Sequence, residues 1–409
     1  ANTEWWAGFE DPVLDQLVDE ALRNNLDVRI AAARIEQFAA ALKITRSDYY
    51  PQLGYGATSN RRGVKDAAVP LLGDSITDTY QATLNVGWEL DIWGKVRRAS
   101  EAARAELFAA EEVRRTAILT LVSSVATSYV GLRALDQQLI IAIQTRQARL
   151  EALELFELQF AGGVIGELQL AQVRSEYESA AAAVPAFEQD IAQLENALAL
   201  LLGRPPGPIS RGLPIGEFRL DRVPANLPSE LLARRPDIRA AEQQLIAANA
   251  RIGVARAAYF PSISLTGLTG FASKDLSEWF KQDSHIWSTG GELLGPIFAG
   301  GRIKGSVKQA EALQREFVFN YRQSILVALS EVEDALVQIE KSREQLVSEQ
   351  RRVEALENYS RLAKLRYDNG YTSYIEVLDA QRSLFSAQLN LVTVQNNVYV
   401  GLINTYKAM

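Results

Sequence analysis

Residues 79–91, TYQATLNVGWELD, alternate strictly. Tyr80, Ala82, Leu84, Val86, Trp88 and Leu90 fall on one face, and Thr79, Gln81, Thr83, Asn85, Gly87, Glu89 and Asp91 on the other. Successive strand side chains point to opposite faces, so this is a strand apolar on one side only. Such a strand belongs either to a sheet packed on a soluble core or to a barrel with lipid outside and water inside, and the pattern alone does not choose. Residues 52–62, through Leu53, Tyr55 and Ala57, and 262–272, through Ile263, Leu265 and Phe271, alternate similarly; a fourth candidate, 285–297, is interrupted by Gly290, Gly291 and Gly295. Polar loops, 61–78 and 272–284, join each pair. Each hairpin is long enough to cross a bilayer, for which about 9–11 tilted residues suffice.

Helical patterns surround the strands. From Lys95 to Phe160 there is no proline and the only glycine is Gly131; a helix of that length runs roughly 100 Å at 1.5 Å per residue. Residues 302–367 repeat the feature, and there Ile325, Leu329, Val332, Leu336 and Ile339, continued by Leu346 and Val353, predict a coiled-coil seam. Shorter helices are expected at 12–24, 27–50, 167–202, 237–260 and 374–407, with another at 227–234 and a kink at Pro185. Small residues, as in AAARIEQFAAA and SAAAAVPAF, suit close helix approach. Residues 203–228, rich in proline and glycine, read as a connector.

The order of these elements is written twice. DVRIAAARIEQFAAALKITRSDYYP, from Asp27 to Pro51, recurs 210 positions on as DIRAAEQQLIAANARIGVARAAYFP, from Asp237 to Pro261. After the strands the offset becomes 207: WGKVR from Trp93 answers GGRIK from Gly300, and FAGGVIG from Phe160 answers YDNGYTS from Tyr367. A period this long means one pseudo-symmetric architecture rather than independent domains. The expected parts are an N-terminal segment, 1–26; helical segments, 27–51, 95–202, 237–260 and 302–407; two β-hairpins, 52–94 and 261–301; and an inter-repeat linker, 203–236.

Composition narrows the function. A net charge of -7, from 43 basic and 50 acidic residues, argues against nucleic acid as partner. With no cysteine and one histidine, His285, thiol chemistry and the commonest metal sites are largely excluded, and no metal or cofactor is expected. A cysteine-free chain suits an oxidising compartment in which no disulfide is needed, although cytosolic chains also lack cysteine. No nucleophile, base and orienting group stand out, nor a phosphate-binding glycine loop, so an enzyme is not expected. No unbroken run of 18 apolar residues appears, so no membrane-spanning helix is expected, which leaves spanning strands open. The chain starts at Ala1 without a leader, so any export signal is expected to have been removed.

Four strands cannot close a barrel, yet only helices and closed barrels cross lipid. Two chains would give eight strands, a barrel filled by its own side chains, and three would give twelve, with a water-filled lumen. If the hairpins span a membrane, a homotrimer is the smallest assembly that could conduct.

WELDIWGKVRRASEAARAE at 88–106, LLARRPDIRAAE at 231–242, RAAYFPSISLTGLTG at 256–270, GPIFAGGRIKG at 295–305 and GYTSYIEVLDAQRSLFSAQ at 370–388 cover nearly the whole chain in order. They resemble the outer-membrane factors of Gram-negative tripartite efflux pumps, the TolC-like channels, in their drug-pump branch. The resemblance implies a fold combining helices with a membrane β-barrel: an internally duplicated chain contributing four strands to a shared twelve-stranded trimeric barrel, continued by a long helical coiled-coil tunnel through the periplasm, with the 1–26 and 203–236 segments in an equatorial region. It further implies a passive, gated exit duct for drugs and other small toxic compounds, without an active site. Its partners would be outer-membrane lipid, a periplasmic adaptor and an inner-membrane pump. Members commonly begin at a lipidated cysteine, absent here; the expectation is that this chain lacks its first residues. A type I protein-secretion duct and a soluble coiled-coil scaffold are the alternatives.

On this resemblance the turns at 161–167 and 368–374 form the periplasmic tip, where gate and adaptor contact lie. Gly162, Gly163 and Gly370 belong to them, with Gly163 and Gly370 permitting left-handed turns. Glu376 and Asp379, three apart on one helix face, read from the residues alone as a solvated face, but they fall where the family places acidic residues at the constriction. Three copies would stack two carboxylate rings, which attract cations and raise one another's pKa. Tyr367 matches a position that braces the closed tip by hydrogen bonding. Thr372 stands where some relatives carry a bracing arginine, which puts that lock in doubt. Gln169 is the first-copy counterpart of Glu376, and Arg174 is a conceivable brace or a surface arginine. Trp88, Trp93 and Trp287 suit an aromatic belt at the membrane interface, with Trp93 equally suited to the barrel-to-tunnel junction. His285 reads as an ordinary loop residue.

Overall fold

The computed structural model describes residues 4–64, 75–219 and 234–409. Its helices are α1 (Pro12–Asn24), α2 (Leu26–Ser47), α3 (Lys95–Ala161), α4 (Glu167–Leu201), α5 (Pro236–Ala257), α6 (Arg302–Asp368) and α7 (Tyr374–Ala408). The strands are β1 (Gln52–Val64), β2 (Ser75–Glu89), β3 (Ser262–Ser273) and β4 (His285–Leu294). The chain divides into two compact units: residues 1–32, 113–238 and 324–409, and residues 33–112 and 239–323.

In the second of these units the strands form one antiparallel sheet, ordered β1-β2-β3-β4, with Gln52 opposite Gly87, Glu89 opposite Ser264 and Ser262 opposite Leu294. The registers keep the alternation in phase. Tyr55, Leu84, Thr269 and Trp287 form one cross-strand row and Leu53, Val86, Gly267 and Thr289 the next, on the predicted apolar face. β1 and β4 remain edges of this sheet.

Several predicted limits need correction. β1 reaches Val64 and β2 begins at Ser75, so both ends of the polar loop set at 61–78 are strand; its tip, 65–74, lies outside the described residues. β4 stops at Leu294 rather than 297, before Gly295 and Pro296, and proline cannot donate to a ladder. The 272–284 loop carries two short 3-10 turns. α2 and α5 end three residues before the predicted limits, and both corners turn alike. Tyr49 N–H donates to Arg46 O and Tyr50 N–H to Ser47 O, as Tyr259 N–H does to Arg256 O and Phe260 N–H to Ala257 O. The helix expected at 227–234 lies outside the described residues except at its last position, and α4 runs through Pro185 without interruption.

Close helix approach is visible where Ala102 and Ala105 of α3 meet Ala247 and Ala250 of α5 in an alanine seam. α3 is capped by Asp91, whose carboxylate accepts from Val96 N–H at 2.9 Å and Arg97 N–H at 2.8 Å.

The first unit holds the main core, with Leu14, Val125, Tyr129, Leu198, Phe218 and Leu402 among its buried residues. The described part of the inter-repeat connector, 203–219, is built into it. Ile209, Ile215 and Phe218 are buried, Arg211 pairs with Asp136 and Glu195, and fully buried Asp11 accepts from Leu213 N–H at 3.0 Å and Tyr129 OH at 2.7 Å. Burial pushes the Glu195 carboxyl up, but hydrogen bonds from Arg211 and Ile209 N–H outweigh it and hold the group below its usual range.

Two expectations about helices change. Through the predicted seam, α6 buries Ala328, Val332, Ala335, Ile339 and Ser342, stepping by four and three, and Val353 further on. Leu329 and Leu336, predicted for the seam, are 41% and 36% exposed, because alanines take the close contact. α3 also contains an 18-residue stretch of mean hydropathy 1.4, long and apolar enough to cross a membrane although no unbroken apolar run exists. Half of that stretch is buried inside the protein, as in a core helix.

Candidate functional site

The two helix-to-helix turns, both in the first unit, are built alike. At the end of α3, Gly163 N–H donates to Phe160 O and Val164 N–H to Gln159 O; at the end of α6, Gly370 N–H donates to Tyr367 O and Tyr371 N–H to Arg366 O. This nested pair of bonds satisfies the last carbonyls of each helix and needs a left-handed residue at the second position past its end. Gly163 and Gly370 supply it, with φ of 72° and 76°. Gly162 keeps negative φ and donates to Leu158 O at 3.0 Å.

Aromatic packing supports these turns. Tyr374 lies 4.3 Å from Phe156 and 4.9 Å from Tyr367, centroid to centroid, and Phe156 is buried with Leu153, Leu170 and Val173. Burial, and then the neighbouring Tyr367, push the Tyr374 phenol up to about 12. Tyr367 is thus placed by an edge-on ring contact and by its carbonyl.

The acidic residues do not stand bare. Glu376 accepts from Arg366 Nη1 at 3.1 Å and from the Thr372 hydroxyl. Asp379 accepts from Arg382 Nη2 at 2.8 Å, and Arg382 also lies 4.0 Å from Glu176. Glu176 in turn pairs with buried Arg149, 3.1 Å away, which donates to the Glu176 carbonyl at 2.6 Å and lies over the Phe385 ring. Burial lowers the Arg149 pKa, with Glu176 opposing. Glu176, Glu376, Asp379 and Arg382 line one groove of about 620 Å³ between α4, α6 and α7. The expected acidic face is therefore an alternation of three carboxylates and three arginines. Arg366 was not anticipated, since it reaches Glu376 across the turn from ten residues away.

The remaining candidates serve locally. Gln169 Oε1 accepts from Gly166 N–H at 2.9 Å and helps start α4, and Arg174 of α4 pairs with Glu157 of α3 at 2.8 Å. In the other unit, Trp93 stacks on Phe260 at 4.6 Å and donates to the Pro261 carbonyl at 2.7 Å, which is a helix-to-strand junction contact. Trp88 Nε1 donates to Tyr49 O at 3.0 Å, and Trp287 stands exposed on the apolar face of β4. His285 opens β4 and shares a hydrogen bond with Thr269.

A family model described as outer membrane efflux protein matches residues 17–204 and 227–409. The chain is 39% identical to the toluene efflux pump outer membrane protein TtgI of Pseudomonas putida, covering 98% of this chain and 86% of that one. It is 38% identical to the cation efflux system protein CusC of Escherichia coli, covering 100% and 88%. The crystal structure of the Campylobacter jejuni CmeC outer membrane channel superposes with a TM-score of 0.95 at 29% identity, covering 99% of this chain and 87% of that one.

Proposed function

The chain belongs to the outer membrane efflux protein family, and from that premise we propose that it is the passive exit duct of a tripartite efflux system, closed by three copies and gated at the Glu376–Asp379 tip. The observation that carries the shared duct is the open sheet. β1 and β4 are unpaired edges of a four-stranded sheet with an apolar face, and an open edge in lipid leaves backbone groups without partners. Twelve strands from three copies remove every edge and leave a lumen. The polar face, with Gln81, Thr83, Asn85 and Thr266, would line water.

An inner-membrane partner would supply the energy, and an adaptor would hold the tip at the two glycine turns. Similar relatives carry names as different as toluene and cation efflux, so cargo choice is assigned to the energised partner rather than to this channel. Opening would part α4 from α7 at the groove that holds Glu176, Asp379 and Arg382.

The test is the purified full chain in detergent, sized by light scattering and then added to planar bilayers. Three copies per particle and discrete channel currents are expected. A monomer that stays soluble without detergent and carries no current would sink the proposal.

A further inference from the structure

The internal duplication predicts how one copy meets the next. The hairpin registers repeat the sequence offsets: Gln52 pairs with Gly87 and Ser262 with Leu294, positions 210 and 207 apart, the same offsets that separate Pro51 from Pro261 and Trp93 from Gly300. β2 is thus the counterpart of β4, and β3 the counterpart of β1. The β2–β3 pairing already present within a copy is a template for the β4–β1 pairing that must form between copies. We infer that β4 adds to β1 of a second copy in the register carried over by these offsets, with the Ile297–Phe298 turn seated on that copy's Tyr50–Pro51 corner.

Thr83 opposite Gly270 becomes Gly290 opposite Asn60, Asn85 opposite Leu268 becomes Glu292 opposite Thr58, and Val86 opposite Gly267 becomes Leu293 opposite Ala57. The two faces remain in phase, with Leu293 beside Ala57 on one and Glu292 beside Thr58 on the other, and Thr289 beside Arg61 toward the end of β1; a slip of one residue would invert every position of the added strand. Tyr80 opposite Ser273 becomes Trp287 opposite Gly63, an exposed indole laid over a glycine that leaves room for it.

The corner follows the same logic. Within a copy, the β2–α3 turn closes over the α5–β3 corner: Leu90 N–H donates to Ile263 O at 2.8 Å, and Trp93 stacks on Phe260 and bonds the Pro261 carbonyl. The equivalent corner, Tyr50–Pro51, lies beside edge strand β1, and Tyr50 is 69% exposed. The equivalent turn follows β4, where Ile297 is fully exposed and Phe298 is 90% exposed. Gly300 replaces Trp93, so the indole is gone. Phe298 replaces Asp91, the carboxylate that caps α3, and is the aromatic ring the turn has to offer. An apolar pair left in water beside an unpaired edge, matched by a bare aromatic corner beside the opposite edge, fits a second copy joined head to tail.

This inference rests on the shared-barrel proposal, and cross-linking separates the two. The chain has no cysteine, so Glu292→Cys/Thr58→Cys and Leu293→Cys/Ala57→Cys introduce the only thiols. Adjacent antiparallel pairs alternate between hydrogen-bonded and closer non-hydrogen-bonded, so one of the two suits a disulfide. Within a copy β1 and β4 are held apart by two strands, about 14 Å at roughly 4.8 Å per step, so only copies can be linked. Mild oxidation of the full chain in detergent should link three copies through a matched pair and not through the slipped Glu292→Cys/Asn60→Cys or Glu292→Cys/Gly56→Cys. Linkage through a slipped pair, or three copies by light scattering with no linkage at all, overturns the register while the shared barrel stands; a monomer overturns both. Phe298→Ala should lower the temperature at which the trimer dissociates in SDS, with no added loss in Phe298→Ala/Tyr50→Ala. An unchanged temperature overturns the corner contact.

Discussion

Tyr374 lies between Phe156 and Tyr367, and burial, followed by the nearby Tyr367, raises its phenol to about 12 against roughly 10 in an unfolded chain. A phenol is neutral when protonated, so the folded tip favours the protonated form. The resulting stability is fully present below about pH 10 and is lost as pH rises through about 12. Hydrogen exchange at the 363–380 backbone should therefore accelerate between those values, and Tyr374→Phe should abolish that step. A step that persists in the phenylalanine variant would assign it to another group, such as Tyr129, whose phenol burial also raises.

At the scale of elements, the alanine seam between α3 and α5 makes a sharper demand than any leucine stripe. Ala102, Ala105, Ala247 and Ala250 bring two helices together with nothing larger than a methyl between them. Ala250→Leu should cost about 1–3 kcal/mol through overpacking, read as a lower midpoint of thermal unfolding, whereas the same change at exposed Asn249 should leave the midpoint within about 0.5 kcal/mol. The seams also show what the sequence hides. Strand alternation was readable because it is local, and the left-handed glycines because their backbone requirement is local. Val332, Ile339 and Val353 of the predicted α6 seam are buried, but Leu329 and Leu336 are not, because hydropathy prefers them to Ala328 and Ala335. The charges of Arg61, Arg62 and Asp78 make the strand ends at Val64 and Ser75 look like loop; Arg61 and Asp78 pair across the ladder, 3.4 Å apart, which a single-strand pattern does not reveal. The connector looked like a spacer because its anchors, Asp11, Tyr129 and Asp136, lie far away in sequence.

At the scale of the whole assembly, the proposed gate depends on the sign of charge around Glu376 and Asp379. Two carboxylates three residues apart suggested stacked acidic rings, but each copy sets Arg366 against Glu376 and Arg382 against Asp379, with Arg149 against Glu176 beside them. Three copies would multiply a balanced array, so the gate should be held by ion pairs rather than loosened by repulsion, and the wild-type channel should discriminate weakly between cations and anions. Removing one sign must then expose the other. Reversal potentials measured across a salt gradient should move toward anion preference in Glu376→Gln/Asp379→Asn, which frees Arg366 and Arg382, and toward cation preference in Arg366→Gln/Arg382→Gln, which frees the carboxylates. Both variants should conduct more than wild type, since each breaks the pairing that ties α6 to α7 and braces α7. Opposite shifts of similar size would establish a balanced gate. A cation-selective wild type that only the carboxylate variant changes would restore the acidic rings, and equal potentials in all three proteins would place the selective charge elsewhere along the lumen, where Glu292 on β4 is the first residue to substitute.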